Sequence, residues 1–217
     1  MPEPPQIDFQ LDAAEARVLG SLLEKEIATP EYYPLSLNAL VNACNQKSNR
    51  DPVVAYEDGI VEDALESLRA KGLALRSTGK DSRVPKHAQR FTEKFNMGRR
   101  EAAVLCVLLL RGPQTSGELR GRTERLYAFD DLEAVEATLR HLAEAGFVRQ
   151  LPRQAGFKEP RWAHLLSGEP PEAAEESRAE PAAEPVHSRP LADRVAQLEA
   201  ELAGLRSEFE DFRRRFE

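Results

Sequence analysis

The chain has 217 residues, of which 41% are hydrophobic, so it can form one large domain or two small ones around an apolar core. The formal net charge of −7 excludes a uniformly basic nucleic-acid-binding protein, but residues 76–100 carry eight basic and only two acidic side chains. The two cysteines, Cys44 and Cys106, have no CxxC or Cys/His spacing, which argues against a metal or redox motif.

Two helices are predicted near the start of the chain. The first begins at Asp12, because Asp12 and Glu15 match the D-x-x-E capping box, and the second follows the capping residue Ser36. Their apolar faces are predicted to comprise Val18, Leu19, Leu22 and Leu23 in the first helix, and Leu37, Leu40, Val41 and Cys44 in the second.

A third helix and a hairpin follow. The helix runs from about residue 57 to 71, and Gly72 ends it in the usual C′ position. Its inward face is predicted to comprise Ile60, Val61, Ala64, Leu65 and Leu68. Residues 73–77 then predict a strand, residues 78–82 a turn, and residues 83–86 an irregular return strand.

The chain then repeats itself. EARVLGSLL at 15–23 returns as EAAVLCVLL at 101–109, an offset of 86, and VEDALESLRAKGLALR at 61–76 returns as VEATLRHLAEAGFVRQ at 135–150, an offset of 74. The first unit is therefore longer between its first and third helices. The second unit has a short helix of its own, GELRGRTERL, and a hairpin formed by FVRQL and RWAHLL.

Three helices followed by a hairpin is the order of a winged helix, and the repeat predicts two in tandem. The predicted fold is mainly α with small β-hairpins, an α+β class. We place the first winged-helix domain at 1–95 and the second at 96–166. Residues 167–190 are rich in Pro, Glu and Ala without an apolar period, so they predict a flexible acidic linker.

The last segment, 191–217, predicts a coiled-coil helix. Its heptad a and d positions are Leu191, Val195, Leu198, Leu202, Leu205, Phe209, Phe212 and Phe216. In a parallel pair, the facing g and e residues would be Arg194 with Glu199, Glu201 with Arg206, and Glu208 with Arg213. All three pairs are attractive, so we expect a homodimer; the alternative is a single amphipathic helix, folded back on its own domain or solvated.

Four segments carry a resemblance to a known family: EARVLGSLLEKE, TPEYYPLSLNALVNACNQKSNRDPV, LLLRGPQTSGELRGRTERLYAF and the closing RWAHLL. These segments resemble the YceH-like family of bacterial proteins, and the resemblance covers about residues 7–166. It implies a tandem winged-helix fold, and it implies no established activity. The C-terminal segment matches by its heptad pattern alone.

The third helix of each unit is a poor candidate for the DNA major groove, where a recognition helix ordinarily lies. The predicted solvent face of the first carries Glu57, Asp58, Glu62, Asp63 and Glu66 against Arg69 and Lys71, and that of the second carries Asp130, Asp131, Glu133, Glu136 and Glu144 against Arg140. Phosphates would repel such faces, because binding to DNA depends on cations that displace its counterions.

Three other segments supply candidate nucleic-acid contacts. The loop after the second helix offers amides and cations, the residue types that read base edges and hold phosphates: Asn45, Gln46, Lys47, Ser48, Asn49 and Arg50. Residues 76–100 form a segment rich in basic side chains, which we call the basic band. The first wing lies within it and offers Lys80, Arg83 and Lys86. The segment around the short helix offers Arg111, Gln114, Thr115, Arg120, Arg122 and Arg125, with N–H groups at the helix start that favour an anion. The second wing adds Arg153, Lys158 and Arg161.

Each segment also has a structural interpretation. Asn45 and Asn49 would cap helices or turn the chain, with Lys47 and Arg50 solvated or paired with the acidic third helix. The basic band would dock on acidic segments of the same chain. Ser116 would be an ordinary N-cap of the short helix.

Two classes of function remain open. The first is a dimeric, non-enzymatic DNA-associated regulator that uses loops and wings. The second is a protein–protein adaptor whose acidic helices meet a basic partner. An enzyme is disfavoured, since the four histidines are scattered and no catalytic or phosphate-loop motif occurs, and we expect neither metal nor cofactor. The start MPEPPQIDF lacks signal-peptide features and no apolar run spans a membrane, so a cytoplasmic protein without membrane attachment is expected.

Overall fold

The computed structural model describes residues 7–77, 84–153 and 159–169. The helices of the first half are α1 (Ala13–Ala28), α2 (Leu37–Cys44), α3 (Asp58–Ala70) and the single-turn α4 (Phe91–Lys94), with a 3₁₀ turn at Pro30–Tyr32. The strands of this half are β1 (Leu35–Ser36), β2 (Ala74–Ser77) and β3 (Lys86–Gln89). They form an antiparallel sheet in the order β1-β3-β2.

The second half repeats this order. Its helices are α5 (Arg99–Arg111), α6 (Ser116–Thr123) and α7 (Leu132–Glu144), and its antiparallel hairpin consists of β4 (Val148–Gln150) and β5 (Trp162–His164). Gln114, just before α6, bridges Trp162 in the same way that β1, just before α2, pairs with β3. The mixed α+β class is therefore confirmed for the described residues.

The end signals of the helices behave as predicted. Glu15 N donates to Asp12 Oδ1 and Asp12 N donates to Glu15 Oε2, both at 2.8 Å, which completes the capping box of α1. Ser36 Oγ accepts from Ala39 N at the start of α2. Gly72 has a φ of 70°, a left-handed conformation in which a side chain would be strained.

Two local predictions were wrong. Ile60 is 43% exposed, because the buried stripe of α3 runs through Val61, Ala64, Leu65 and Leu68, and Ile60 lies at the edge of that face. The return strand begins at Lys86 rather than at residue 83. Pro85 has no N–H to donate to a ladder, so regular pairing with β2 starts only after it.

The two halves share one hydrophobic core, in which α1 crosses α5. Gly20 and Cys106, equivalent positions of the sequence repeat, meet at this crossing, where the Cys106 thiol donates to Gly20 O at 3.4 Å. A Cβ at Gly20 would lie 2.9 Å from side-chain atoms of Leu110, so glycine allows the helices to approach this closely. Both cysteines are buried and form no disulfide. All described residues belong to one compact unit, and a domain boundary between 95 and 96 stays a prediction.

Several predicted features lie outside the described residues. They are the coiled-coil helix at 191–217 with its dimer positions, the linker from residue 170 onward, Lys80 and Arg83 of the first wing, and Lys158 of the second. Within the described residues, no helix combines the length and the apolar character that a membrane crossing requires.

Candidate nucleic-acid interface

Arg50 anchors the polar loop between α2 and α3 from the inside. Its side chain is fully buried, and it forms a bidentate pair with Glu24 of α1 at 2.6 and 3.1 Å. The same guanidinium donates to Ala43 O at 2.8 and 3.1 Å and to Asn49 O at 2.9 Å. Burial raises the pKa of Glu24, but the hydrogen bonds and charge of Arg50 outweigh it and hold that pKa below its usual range. All donors of Arg50 thus serve the fold, and none is available to DNA.

A second buried arginine and an amide fix the ends of the loop. Arg17 is 4% exposed and donates to Pro52 O at 2.6 Å and to Cys44 O at 3.4 Å. The Asn45 side chain, at the end of α2, donates to Tyr56 O and accepts from Tyr56 N, both at 2.8 Å. The Asn45 side chain thus has the structural role of joining the two ends of the loop, with both its amide groups engaged by Tyr56.

The tip of the loop faces outward. Lys47, Ser48 and Asn49 are exposed, and Asn49 turns the chain with a φ of 58°. Gln46 is half-buried, and its Oε1 accepts from Arg50 at 3.2 Å and from Lys25 at 3.4 Å. Asp51 N donates to Leu110 O at 2.9 Å, which ties the loop to the end of α5 in the other half of the chain. The predicted contact set is thus reduced to 46–49.

The start of α6 is closed by a capping box. Thr115, not Ser116, caps this helix, because Glu118 N donates to Thr115 Oγ1 at 3.2 Å and Thr115 N donates to the Glu118 carboxylate at 3.0 Å. The carboxylate already occupies the place an anion would take. Gln114 is 5% exposed, and its side chain donates to the backbone at Arg111 and Pro113, so it is also structural.

The arginines of α6 and of the turn after it differ in whether their side chains are paired within the chain. Arg120 is exposed and donates to Asp130 O at 2.7 Å, and Arg122 pairs with Glu118 at 3.1 Å across one helical turn. Arg125 is exposed in the turn after α6 and makes no ion pair or hydrogen bond with another described residue. Arg125 is therefore the most available cation of this set.

A groove of about 690 Å³ brings the loop tip and the α6 arginines together. One wall comes from the first half: the end of α1 and residues 46–49. The other comes from the second half, between Gly121 and Leu126, and α5 supplies the floor. Five cations line the groove: Lys25, Lys47, Arg111, Arg122 and Arg125. We call this surface the basic groove.

The helix ends explain part of this charge. Lys25, Arg111 and Arg122 lie in the last turns of α1, α5 and α6, where the helix dipole favours a cation. Lys47 and Arg125 lie outside the helices and have no such role. Burial, followed by the neighbouring charge of Arg122, lowers the pKa of Arg111, so two like charges are held close together in a partly desolvated place. Glu24 is the one carboxylate among the residues that line the groove, and Arg50 and Lys25 already neutralise it.

The basic band after the first hairpin is largely engaged within the chain. Arg90 pairs with Glu93 and Arg100 with Glu101, while Lys94 and Arg99 donate to backbone carbonyls. Of the wing residues that the structure describes, Lys86 is half-buried in β3, Arg153 is exposed beyond β4, and Arg161 is half-buried before β5. The band is thus not a continuous set of unpaired cations.

The acidic faces of the third helices are solvent-exposed. Glu62, Asp63 and Glu66 are exposed on α3, as are Glu133 and Glu144 on α7. The α3 carboxylates line a second cavity of about 450 Å³ against the first hairpin, with Leu65 and Pro85. None of the residues lining the basic groove comes from α3 or α7.

The sequence does not predict two contributors to the groove. Lys25 is predicted only as part of the first helix, and Glu24 is not predicted as the partner of Arg50. The signal for the buried arginines was available, because Arg17 interrupts the apolar sequence EARVLGSLL. In the described parts of the chain, no three His, Cys, Asp or Glu side chains cluster as a metal site would require.

Fold and site together define a protein of two repeated helix-and-hairpin units that share one core and enclose a basic groove. The family model described as "Protein of unknown function, DUF480" matches residues 11–157. A UPF0502 protein of Solibacter usitatus is 64% identical over 211 residues, covering 97% of this chain and all of that protein. A UPF0502 protein of Geobacter sulfurreducens is 49% identical over 220 residues, again covering 97% of this chain and all of that protein.

The chain therefore belongs to the DUF480 family, whose similar members carry the name UPF0502. This confirms the coarser part of the resemblance, a bacterial family without an established activity. The YceH-like name and the tandem winged-helix architecture stay predictions.

Proposed function

We propose that this chain is a non-enzymatic, DNA-associated regulator with tandem winged-helix architecture, which binds the phosphate backbone of duplex DNA with the basic groove and the wings. One observation carries the proposal. Lys47, Arg111 and Arg125 come from both halves of the chain to one groove, and their side chains make no hydrogen bond or ion pair with other described residues.

Unpaired cations are the groups that a polyanion requires. Binding to DNA gains free energy when lysine and arginine replace condensed counterions, so cations already paired with carboxylates contribute less. Lys47 at the loop tip and Arg125 in the turn after α6 are both exposed, so a phosphate strand can reach them from solvent. Arg111 lies deeper, at the end of α5, and adds to the positive potential between the walls.

The orientation of the third helices supports the same choice. Their exposed carboxylates would meet phosphates if α3 or α7 entered the major groove. Contact through the basic groove leaves both helices off the DNA. The proposal also includes contacts from Lys80, Arg83, Arg153 and Lys158 in the wings, a homodimer formed by residues 191–217, a cytoplasmic location, and the absence of a metal or cofactor requirement.

Fluorescence anisotropy with a mixed-sequence duplex tests the proposal. We expect the purified full-length chain to bind the duplex at low salt, and its affinity to fall steeply between about 50 and 200 mM salt. Arg125→Glu is expected to weaken binding about tenfold and to lower the salt slope by about one, as for a lost phosphate contact. Lys47→Glu is expected to act in the same direction.

Arg140→Glu is the matched control. It reverses one exposed arginine on α7, outside the basic groove, so the net charge changes equally. Equal losses in Arg125→Glu and Arg140→Glu would mean that net charge alone sets the affinity, which contradicts the proposal. An unchanged affinity in Arg125→Glu and Lys47→Glu would contradict it as well.

A second function, a protein–protein adaptor, is favoured by the cavity beside α3. Three carboxylates, two arginines (Arg69 and Arg76) and several apolar side chains line this cavity. The carboxylates of Glu62, Asp63 and Glu66 are exposed on one helix face, which suits a basic segment with an apolar anchor. If the wild-type chain does not bind duplex DNA at low salt, the adaptor function becomes the better supported of the two.

A further inference from the structure

We propose that the cavity between α3 and the first hairpin is a binding site for a free α-amino acid with an apolar side chain. We call it the α3 cavity. Its volume of about 450 Å³ lies within the range of about 300 to 1,000 Å³ that is usual for small-ligand sites. It shares no lining residue with the basic groove, so binding of the amino acid does not depend on DNA association.

Side chains of both charges line the α3 cavity without being paired to one another. Arg69 and the carboxylates of Glu62, Asp63 and Glu66 come from α3, while Arg76 comes from β2. None of these five side chains makes a hydrogen bond or an ion pair with another residue in the described part of the chain. The cavity therefore offers a ligand positive and negative groups that no other side chain has already neutralised.

The two walls of the cavity contribute different charges. Glu62, Glu66 and Arg69 follow the i, i+4, i+7 spacing, which puts them on one face of α3. Arg76 lies directly opposite His87 in the β2–β3 ladder, so both side chains are on the same face of the sheet. The carboxylates thus belong to the helix wall alone, and the hairpin wall contributes a cation.

His87 adds a neutral polar group to the lining. It is 8% exposed, and its Nδ1 has no hydrogen-bond partner among the described residues. Burial, followed by the charges of Arg69 and Arg76, lowers the pKa of His87, so the ring carries no charge at neutral pH. A nitrogen buried without a partner costs free energy, and a hydrogen bond to an occupant of the cavity would remove that cost.

The apolar part of the lining is accessible to a ligand. Val84 is 54% exposed, and Leu37 and Pro85 are half-buried beside it in the same cavity. An apolar side chain placed over Val84 and Pro85 would remove hydrocarbon surface from water on both sides of the contact, which favours binding.

These features match the three parts of an apolar amino acid. The ligand carboxylate suits Arg69 and Arg76, because guanidinium groups bind carboxylates with paired hydrogen bonds. The ligand ammonium suits the carboxylates of α3, and its side chain suits the apolar surface at Val84. A purely cationic ligand would leave the arginines unmatched, and a purely anionic one would meet three carboxylates, so a ligand with both charges is favoured.

Isothermal titration calorimetry of the full-length chain, without DNA and at neutral pH, measures binding of L-leucine, L-valine, L-methionine and L-phenylalanine. We expect at least one of them to bind with a Kd below about 1 mM. Removing one charge from the ligand tests the two walls separately: phenethylamine lacks the carboxylate of phenylalanine, and 3-phenylpropanoate lacks its ammonium. Each is expected to bind at least about tenfold more weakly than phenylalanine, and glycine is expected to bind more weakly than the apolar amino acids.

Arg76→Gln tests the hairpin wall. It removes one exposed cation from the cavity, and we expect the amino acid to bind at least about tenfold more weakly. Arg140→Gln is the matched control, because Arg140 is exposed on α7, lines neither the α3 cavity nor the basic groove, and changes the net charge equally. Arg140→Gln is expected to bind as the wild type does.

The double variant Glu62→Gln/Glu66→Gln tests the helix wall. It keeps the size of both side chains and removes two of the three carboxylates, so we expect a loss of at least about tenfold. The matched control is Glu133→Gln/Glu136→Gln on α7, which changes the net charge equally and leaves the cavity intact. Glu136 is the counterpart of Glu62 in the sequence repeat.

Three results would overturn the inference. The first is the absence of binding by all four amino acids at millimolar concentration. The second is binding of phenethylamine or 3-phenylpropanoate as tightly as phenylalanine, which would leave the arginines or the carboxylates unused. The third is an equal loss in the cavity variants and their α7 controls. Because the titration contains no DNA and its variants lie outside the basic groove, its failure is distinct from a failure of the anisotropy experiment.

Discussion

Arg50→Ala is expected to lower the free energy of unfolding by about 3–5 kcal/mol, the range observed when one partner of a buried ion pair is removed. The substitution leaves Glu24 with Lys25 as its remaining cation, and Glu24 is only 13% exposed. It also removes the donors to Ala43 O and Asn49 O, so the loop loses the side chain that holds its shape.

Urea unfolding followed by circular dichroism measures this effect. Lys47→Ala, three residues away on the exposed tip, is the control and should change the free energy by less than about 0.5 kcal/mol. Glu24→Ala combined with Arg50→Ala should be less destabilising than the sum of the single changes, because the double variant leaves neither charge buried without its partner. A loss below about 1 kcal/mol in Arg50→Ala would show that the guanidinium is dispensable for the fold.

Acidification is expected to destabilise the chain through His164 before the carboxylates titrate. Burial lowers the pKa of His164 from 6.5 to about 4, and its Nδ1 is buried without a hydrogen-bond partner among the described residues. The folded pKa is below the unfolded value, so the unfolded chain binds the extra proton between these two values. The stability is complete above pH 6.5 and is lost as pH falls towards 4.

The size of the loss follows from the two pKa values. It should reach about 2 kcal/mol at pH 5 and about 3 kcal/mol near pH 4. His87, whose pKa is lowered by burial and by Arg69 and Arg76, acts in the same direction. The test compares urea unfolding of wild type and His164→Gln at pH 7.5 and 5, with exposed His141→Gln as the control. Identical pH dependence in wild type and His164→Gln would exclude His164 as the cause.

The helices were predictable because their determinants are local. The capping box at Asp12, the cap at Ser36 and the stop at Gly72 each depend on residues within one helical turn. The sequence repeat then predicts the helices of the second half, because the same apolar pattern recurs there. The return strand was placed too early, because the sequence pattern alone did not show that pairing begins only after Pro85.

The site was less predictable because it depends on how the two halves meet. Arg50 lies in a loop whose residue types are those that read bases. Its side chain nevertheless pairs with Glu24, which lies 26 residues earlier on α1. Lys25 and Arg111 become part of one surface only because α1 crosses α5 at Gly20 and Cys106. No local pattern encodes such a juxtaposition, whereas the exposure of Lys47 and Arg125 agrees with their predicted availability.

Under the proposed function, both units of the repeat are needed to form the basic groove. Each half alone would offer one wall and too few cations for a polyanion, and the bond from Asp51 N to Leu110 O fixes the walls relative to each other. Under the proposed function, DNA would bind at the junction between the two units, and the acidic third helices would be left for other contacts.

Hydrogen–deuterium exchange of the full-length chain, with and without duplex DNA at low salt, locates the contact directly. We expect DNA to slow exchange of backbone amides at 46–50 and 111–126, and to leave α3 and α7 unchanged. Slower exchange at 58–70 or 132–144, with no change at 46–50 and 111–126, would place the DNA on the third helices and contradict binding through the basic groove.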